Sequence, residues 1–232
     1  IFNPAMAGYV VILVTFPADL NLWVAPRMGD IDYQQLTLLQ TLAFTLTGNL
    51  PEGISFDALS RATPLDVMKT GLNNLATVAE IRINPVMGDF GGRGWEWIGN
   101  FLAIGGIWLM IRKSIRWQIP LGVVHGLLVP ATIMYLDGPG TNPSPGFHLF
   151  AGATILCAFF IATDPVSAAT STRGRIVYGL GIGFLTWCIR RWGSYADGVA
   201  FAVLIMNMAV PAIDYLTRPP VVGHRRGDKA GG

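Results

Sequence analysis

The chain has 232 residues, of which 52% are hydrophobic and 13% charged, with a net charge of +2 and a mean hydropathy of +0.48. Because soluble domains carry about 25% charged residues, this composition excludes a disordered chain, a collagen-like chain and an ordinary cytosolic enzyme. It indicates a polytopic membrane protein. The basic residues form short clusters between apolar runs, as orientation signals do, and do not resemble a nucleic-acid surface. Cys157 and Cys188 form no disulfide framework and cannot supply the four thiolates of an iron–sulfur cluster.

Six apolar stretches approach the roughly 20 residues that a helix needs to cross a bilayer. They cover residues 5–23, 97–111, 119–136, 147–163, 176–189 and 199–216. Several are short for a full span and carry glycine or proline, at Gly105, Gly106, Pro130, Gly152, Gly179, Gly181, Gly183 and Pro211. Such interruptions are typical of broken helices in transporter-like folds, and close packing through small residues is the alternative. The sequence therefore predicts an all-α polytopic membrane helix bundle with broken helices.

The predicted organisation has four parts. Residues 1–23 form a membrane span of the first half, 24–96 an extracytoplasmic segment, 97–216 a five-span bundle and 217–232 a cytoplasmic tail. Residues 36–47 are apolar on one side but too short to cross, so we expect an interfacial or surface helix there. The chain starts inside an apolar element with no signal-peptide pattern, and we expect the natural protein to be longer at its N-terminus.

The basic residues between the spans predict the orientation. Three clusters fall on one side of the predicted membrane, namely Arg112, Lys113 and Arg116, then Arg173 and Arg175, then Arg218, Arg225, Arg226 and Lys229. The loop 137–146 on the other side has no Lys or Arg, whereas Arg190 and Arg191 are an exception on that outer side. The positive-inside rule makes the side of the three clusters cytoplasmic and places the interval 24–96 outside.

Two short patterns raise the expectation of an inverted repeat. Asn3-Pro4 and Asp164-Pro165 each begin an Asx-Pro-x-x-Ala pattern beside an apolar stretch. Asx-Pro favours a turn or a helix start, and two such breaks in corresponding places are typical of inverted repeats with a site near the break. Chance similarity is the alternative, because the pattern is short.

The segment 56–70 contains the most informative residues. Read locally, Thr63 is a good helix N-cap, Pro64 a favourable first helical residue, and Asp66 lies in the first turn, where the helix dipole stabilises it. This interpretation explains the order of residues 63–66 but does not explain the residues before Thr63.

The residues that end at Thr63 resemble the flavin-attachment site of the NqrB/RnfD family of membrane subunits. In that site a flavin transferase links FMN to a threonine hydroxyl as a phosphoester, within the pattern Asp-x-x-Ser/Thr-Gly-Ala-Thr. Asp57, Ser60, Ala62 and Thr63 match the pattern, whereas Arg61 replaces the usual glycine. In the RnfD branch the residue at the position of this glycine commonly varies. Pro-Leu-Asp and Lys-Thr follow the motif in that branch, as they do here at residues 64–66 and 69–70.

The resemblance extends over nearly the whole chain, with matching stretches at residues 3–9, 158–166, 195–204 and 211–219. It implies a membrane subunit of an Rnf-type ion-translocating ferredoxin:NAD⁺ oxidoreductase complex in the bacterial inner membrane. Such a subunit relays electrons through FMN on Thr63, coupled to Na⁺ or H⁺ transport, and we expect a second, noncovalent flavin such as riboflavin. The implied partners are the lipid bilayer, the other Rnf subunits, including iron–sulfur and FMN-bearing ones, and the flavin transferase during maturation, with no nucleic acid.

The resemblance also implies roles for the residues around the attachment site. Asp57 and Ser60 would be recognised by the transferase. From their charge alone, we expect Arg61 and Lys69 to neutralise the FMN phosphate. The alternative for both cations is an ordinary solvated side chain.

A second Gly-Ala-Thr sequence ends at Thr154. There, however, His148 occupies the position of the acidic residue and Ala151 that of the Ser or Thr. Thr154 also lies inside an apolar run that a modifying enzyme would hardly reach, so we expect it to serve helix packing with a back-bonded hydroxyl. Thr63 is therefore the predicted attachment residue.

Several other residues are weaker candidates. His125 lies in the middle of an apolar span, where a neutral, hydrogen-bonded ring is favoured over a proton relay. Asp164 is expected to cap a half-helix, with a flavin or cation site as the alternative, and Asp214 to pair with Arg218 one turn later. Six tryptophans near span ends are predicted to be interface anchors, namely Trp23, Trp95, Trp97, Trp117, Trp187 and Trp192.

Two other functions are left open by the sequence. One is an NqrB-like subunit that passes electrons to quinone in a sodium-pumping NADH:quinone reductase. The other, from a different class, is a redox-inactive permease, in which the broken helices serve a solute. Only a flavin carrier predicts a flavin mass on the Thr63 peptide, so this mass discriminates the permease from the other two.

Overall fold

The computed structural model describes residues 1–20, 23–24, 26 and 35–218. The elements of this part, in chain order, are α1 (Pro4–Thr15), α2 (Pro17–Leu20), β1 (Trp23–Val24), α3 (Leu38–Thr47), α4 (Phe56–Leu59), β2 (Ser60–Arg61), α5 (Pro64–Asn73), α6 (Val78–Ile81), α7 (Trp95–Ile111), α8 (Gln118–Asp137), α9 (Pro145–Phe150), α10 (Thr154–Leu156), a π-helical turn (Cys157–Ile161), α11 (Thr172–Trp192) and α12 (Val199–Thr217). The side chain of Asp57 and the predicted tail from residue 219 onward, with Arg225, Arg226 and Lys229, lie outside the described residues.

The first apolar stretch is divided into two helices. Asn3 caps α1 by accepting hydrogen bonds from the amides of Ala5 and Met6, at 3.0 and 3.1 Å, as expected for an Asx-Pro helix start. The helix ends at Thr15 because Pro17 disfavours helical backbone at Phe16, and α2 begins at the proline itself. The prediction of one continuous span over residues 5–23 was therefore wrong, because the helix is interrupted at Phe16.

The centre of the fold is the contact between α8 and α11, where two glycine pairs face each other. A Cβ atom on Gly126 would lie 2.2 Å from the carbonyl oxygen of Leu180, and one on Gly183 would lie 2.1 Å from that of Val123. Gly122 and Gly179 approach each other in the same way, so each helix contributes a small-xxx-small pair. These glycines serve close packing, which is the alternative that the sequence had left open.

Only one of the long apolar stretches is broken within the part of the chain that the structure describes after α2. Residues 147–163 divide into α9, a turn at Gly152, α10 and the π-helical turn, and Gly152 adopts φ +67°, a conformation that favours glycine. Pro130 and Pro211, by contrast, lie inside the continuous helices α8 and α12. These two prolines, which the sequence grouped with the residues typical of broken helices, do not break their helices, because a long helix can tolerate one missing N–H where neighbouring helices support it.

The outside of the bundle is apolar, as expected for a helical membrane protein. Among the described helices, α8 and α12 are long and apolar enough to cross a bilayer, and α1, α3 and α7 are shorter apolar helices. Trp97, Phe101, Ile104 and Trp108 of α7 are all more than half exposed. The helix α3 buries none of its residues, in keeping with the predicted surface helix.

Candidate functional site

The predicted attachment motif folds as one local unit that runs from α4 through β2 to the start of α5. Thr63 is the N-cap of α5, and its hydroxyl accepts a hydrogen bond from the Asp66 amide at 3.2 Å. The same hydroxyl donates to Asp66 Oδ2 at 2.5 Å, and Pro64 occupies the first helical position. The local interpretation of residues 63–66 as a capped helix start is confirmed.

The other residues of the motif surround this cap. Ser60 and Arg61 form β2, which pairs antiparallel with β1 and so ties the motif to the segment after the first helices. Ser60 is half-buried, whereas Arg61 and Ala62 are exposed. Asp57 lies on α4 by its backbone. The roles predicted for these residues stay predictions.

Thr63 lines a cavity of about 390 Å³, a size within the usual range of small-molecule sites. Its walls come from α1, α5, α7, the broken segment around Gly152 and the loop after α11. They are mainly apolar, with aromatic side chains contributed by Tyr9, Trp23, Trp95, Phe150 and Tyr195. A few polar groups, from Thr63, Asp66 and Asp197, reach the same space. An apolar cavity with few convergent polar groups is the usual form of a site for a small organic ligand.

Two of the predicted interface tryptophans belong to this cavity. The rings of Trp23 and Trp95 meet edge to face, with centroids 6.0 Å apart, and both side chains line the cavity. They are therefore not simply anchors at the membrane surface, because they form part of the wall nearest the attachment motif.

An ion pair between a buried arginine and a half-buried aspartate holds the side of the cavity that Asp197 lines. Arg190, whose side chain is 2% exposed, lies 3.0 Å from Asp197, and the same guanidinium donates to the carbonyls of His148 and Ala151, at 2.6 and 3.2 Å. Asp197 also accepts the Ala153 amide at 2.7 Å. A buried charge is stable only when it is paired and hydrogen-bonded, and this pair meets both conditions.

Gly152 fits between this ion pair and the attachment helix. A Cβ atom on Gly152 would lie 2.4 Å from Leu65 Cδ1, 2.5 Å from Asp197 Oδ2 and 2.9 Å from Arg190 Nη2. The Gly-Ala-Thr sequence at residues 152–154 is therefore explained by packing, because only glycine fits at position 152. Thr154 is 1% exposed and donates its hydroxyl to the His148 carbonyl at 2.9 Å, as expected for a packing residue.

Lys69 contacts backbone carbonyls. Its ammonium group donates to the Tyr195 carbonyl at 2.6 Å and to the Ile189 carbonyl at 3.4 Å. Burial lowers the pKa of Lys69 from its ordinary value, and the nearby Asp66 carboxylate partly offsets this effect. These contacts show that Lys69 is not an ordinary solvated side chain, whereas the role predicted for it toward a phosphate stays a prediction.

The structure corrects two of the weaker predictions. Asp214 accepts the Thr170 amide at 2.9 Å, and Arg218 lies over the Tyr215 ring at 6.0 Å, so the predicted pair of Asp214 with Arg218 is wrong. Asp164 accepts the Ser167 hydroxyl at 2.7 Å in a turn, where the predicted half-helix does not form.

His125 is in keeping with the favoured interpretation, since its Nδ1 lies 2.8 Å from the Leu121 carbonyl one turn earlier on α8. The ring is otherwise exposed on the outside of that helix.

Sequence reasoning missed the contributions of Arg190, Asp197 and Tyr9 to the cavity. A signal for Arg190 was present, because it was an exception to the charge asymmetry between the two sides. A buried, paired arginine does not act as an orientation signal, so Arg190 does not count against the predicted orientation.

Comparison with known proteins gives consistent matches. The model of the NQR2, RnfD, RnfE family matches residues 1–223. The RnfD protein of the ion-translocating oxidoreductase complex is 47% identical in Aeromonas salmonicida and 46% identical in Salmonella arizonae, and the similarity covers 97% of this chain. The corresponding protein of Escherichia coli O127:H6 is 44% identical. The chain spans 66% of the length of these curated relatives.

The family match covers almost all of the chain, including the attachment motif, the broken segment and the loop that contains Asp197. On this evidence, the chain belongs to the NQR2, RnfD, RnfE family.

Proposed function

We propose that this chain is the RnfD component of an ion-translocating oxidoreductase complex and carries FMN as a phosphoester on Thr63. The observation that supports the proposal best is that the Thr63 hydroxyl, half-buried at the N-terminus of α5, lines an apolar cavity with aromatic walls. The relatives are named as components of an ion-translocating oxidoreductase complex, and these names support the complex to which the chain would belong.

The residues at the site fit a covalently attached flavin. A phosphoester on Thr63 puts negative charge at a helix N-terminus, where backbone N–H groups and the helix dipole stabilise an anion. The isoalloxazine ring system is flat and largely apolar, and the aromatic side chains of the cavity offer faces and edges for it. When bound, the flavin accepts and donates single electrons, so it can connect one-electron carriers.

The protein residues supply position and environment. Thr63 is both the linkage and the cap of α5, so attachment joins the ligand to an element whose start is defined by hydrogen bonds. Esterification replaces the hydroxyl hydrogen, and Asp66 Oδ2 then loses the hydrogen bond that it accepts from Thr63. The Asp66 amide keeps an oxygen acceptor at Thr63.

The wider assignment rests on the family. We place the complex in the bacterial inner membrane, with the attachment segment outside and the C-terminus in the cytoplasm. Its partners are the iron–sulfur and FMN-bearing subunits and, during maturation, a flavin transferase that recognises Asp57 and Ser60. The coupled ion is Na⁺ or H⁺, and a second, noncovalent flavin such as riboflavin stays an expectation. The NqrB-like alternative differs in passing electrons to quinone, so a quinone-binding partner or pocket distinguishes it.

Mass spectrometry of the full-length protein purified with its complex tests the proposal. We expect the peptide that contains Thr63 to carry the mass of FMN less one water. Thr63→Asn keeps a good N-cap but has no hydroxyl, so it should lose this mass and remain folded. Thr154→Val is the matched control at the second Gly-Ala-Thr sequence, and it should retain the mass. An unmodified Thr63 in the intact complex contradicts the proposal and favours a permease or a scaffold.

A further inference from the structure

The contacts of Lys69 join the attachment helix to the end of another helix. Ile189 lies in the last turn of α11, where backbone carbonyls have no partner within the helix, and its carbonyl accepts both the Gly193 amide and the Lys69 ammonium group. A cation at this end is also favoured by the helix dipole. Lys69 therefore acts as a C-terminal cap of α11, although 120 residues separate it from Ile189.

The stronger of the two hydrogen bonds reaches the loop that follows α11. Lys69 Nζ lies 2.6 Å from the Tyr195 carbonyl, and the Tyr195 ring packs on Phe201 of α12 with centroids 4.8 Å apart. Two residues later in this loop, Asp197 is held by Arg190 and by the Ala153 amide. The Lys69 side chain thus joins α5 to a loop that is itself fixed at two points and lines the cavity.

The position of Lys69 on α5 allows its hydrogen bond to the loop to hold this helix against the cavity. Leu65 and Lys69 are one helical turn apart and so lie on the same face, with Leu65 against Gly152 and Lys69 against the loop. Thr63 directly precedes this turn. The helix that bears Thr63 is consequently held to the cavity by one apolar contact near its start and one charged contact a turn later.

We propose that Lys69 is a positioning residue for the flavin: by capping α11 and binding the Tyr195 carbonyl, it fixes the orientation of the Thr63-bearing helix relative to the cavity. This inference rests on the proposed attachment of FMN to Thr63. In this proposal the Lys69 ammonium group binds backbone carbonyls, so the attachment of the FMN phosphate to Thr63 does not depend on Lys69.

The test compares Lys69→Met with Lys69→Arg in the full-length protein within its complex. Methionine keeps the apolar length of the side chain but has no charge and no donor, whereas arginine retains both. Lys113→Met is the matched control, because Lys113 is exposed at the far end of α7. For each protein, flavin on the Thr63 peptide is quantified by mass, and the visible circular dichroism is measured per bound flavin.

We expect Lys69→Met to retain covalent flavin but to lose about half or more of its circular dichroism, because a ligand held by fewer supporting contacts samples more orientations. Lys69→Arg and Lys113→Met should keep the wild-type signal. A wild-type signal in Lys69→Met overturns the proposal. Loss of covalent flavin in Lys69→Met, with retention in Lys69→Arg, also overturns it, because Lys69 then acts in attachment.

Hydrogen–deuterium exchange provides a second measurement that does not depend on the flavin. The amides of residues 193–197 and of the first turn of α5 should exchange faster in Lys69→Met than in Lys69→Arg, since the contact that joins them is lost. Unchanged exchange contradicts the cap. If wild-type Thr63 proves unmodified while the exchange difference is present, the proposed function fails and the cap is retained.

Discussion

Replacement of Gly152 by alanine tests the packing between the attachment helix and the buried ion pair. The added Cβ atom would lie 2.4 Å from Leu65 Cδ1 and 2.5 Å from Asp197 Oδ2, well inside van der Waals contact. The Asp197 carboxylate is held by the Arg190 guanidinium and the Ala153 amide, so it cannot move without losing a hydrogen bond. Alanine must also adopt φ +67° at this position.

The expected loss of stability has two parts. A left-handed backbone conformation costs an alanine about 1–2 kcal/mol. Overpacking a site that cannot relax costs about 1–3 kcal/mol more. The free energy of unfolding should therefore fall by about 2–5 kcal/mol. For a chain of this size each kcal/mol corresponds to about 2–4 °C in Tm, so we expect Tm to fall by at least about 4 °C.

Thermal unfolding of the purified full-length protein in detergent measures this change. Two glycine variants are matched controls, because neither added Cβ atom has a neighbour within 4 Å. Gly48→Ala introduces the same backbone strain, at φ +73°, and should lower Tm by about 2–8 °C and by less than Gly152→Ala does, since only the conformational part remains. Gly8→Ala lies within α1 and should leave Tm unchanged or slightly raised. The reasoning is refuted if Gly152→Ala is as stable as Gly48→Ala.

Three further predictions concern the framework of the site. Arg190→Met removes the cation that pairs with Asp197 and the guanidinium hydrogen bonds to the carbonyls of His148 and Ala151, so it should lower the free energy of unfolding by about 3 kcal/mol in denaturant titration. Gly183→Ala should lower Tm more than Gly181→Ala, because the Cβ atom added at Gly183 would clash with a backbone carbonyl of α8, whereas the one added at Gly181 would contact only a flexible methionine side chain. Equal shifts in Tm would contradict the packing argument. Hydrogen bonds from Thr77 lower the pKa of Glu80, so its contribution to stability is present above the ordinary pKa of 4.5 and is lost as the pH falls through the lowered value. The difference in local hydrogen exchange at α6 between wild type and Glu80→Gln should therefore be seen at neutral pH and disappear in acid.

Local features of the chain could be predicted because their causes are close in sequence. The caps at Asn3 and Thr63 depend on side chains that bind amides two or three residues away. The apolar stretches predicted helices by composition and length, and their ends in α7, α8 and α12 lie within two residues of the expected positions. The family was likewise evident from residue order, whereas the attachment of a flavin at Thr63 stays a prediction.

Breaks within the helices could not be predicted in the same way. Pro130 and Pro211 carry the same local signal as Pro17, yet only Pro17 separates two helices. The difference depends on the neighbours that support the backbone around each proline. The role of the glycines in α8 and α11 could not be predicted for the same reason, because only the opposing helix shows that they serve close packing.

The sequence by itself determined the helical membrane class, the family and the capped start of α5, and it predicts Thr63 as the attachment residue. Only the tertiary structure decided that Thr63 lies beside an apolar cavity, that Arg190 holds Asp197 in the wall of this cavity, and that Lys69 binds carbonyls in the last turn of α11 and in the loop after it. The physical reason is distance along the chain. Lys69 and Tyr195 are 126 residues apart. Every residue has a backbone carbonyl, so the sequence does not indicate which carbonyl accepts a hydrogen bond from a distant side chain.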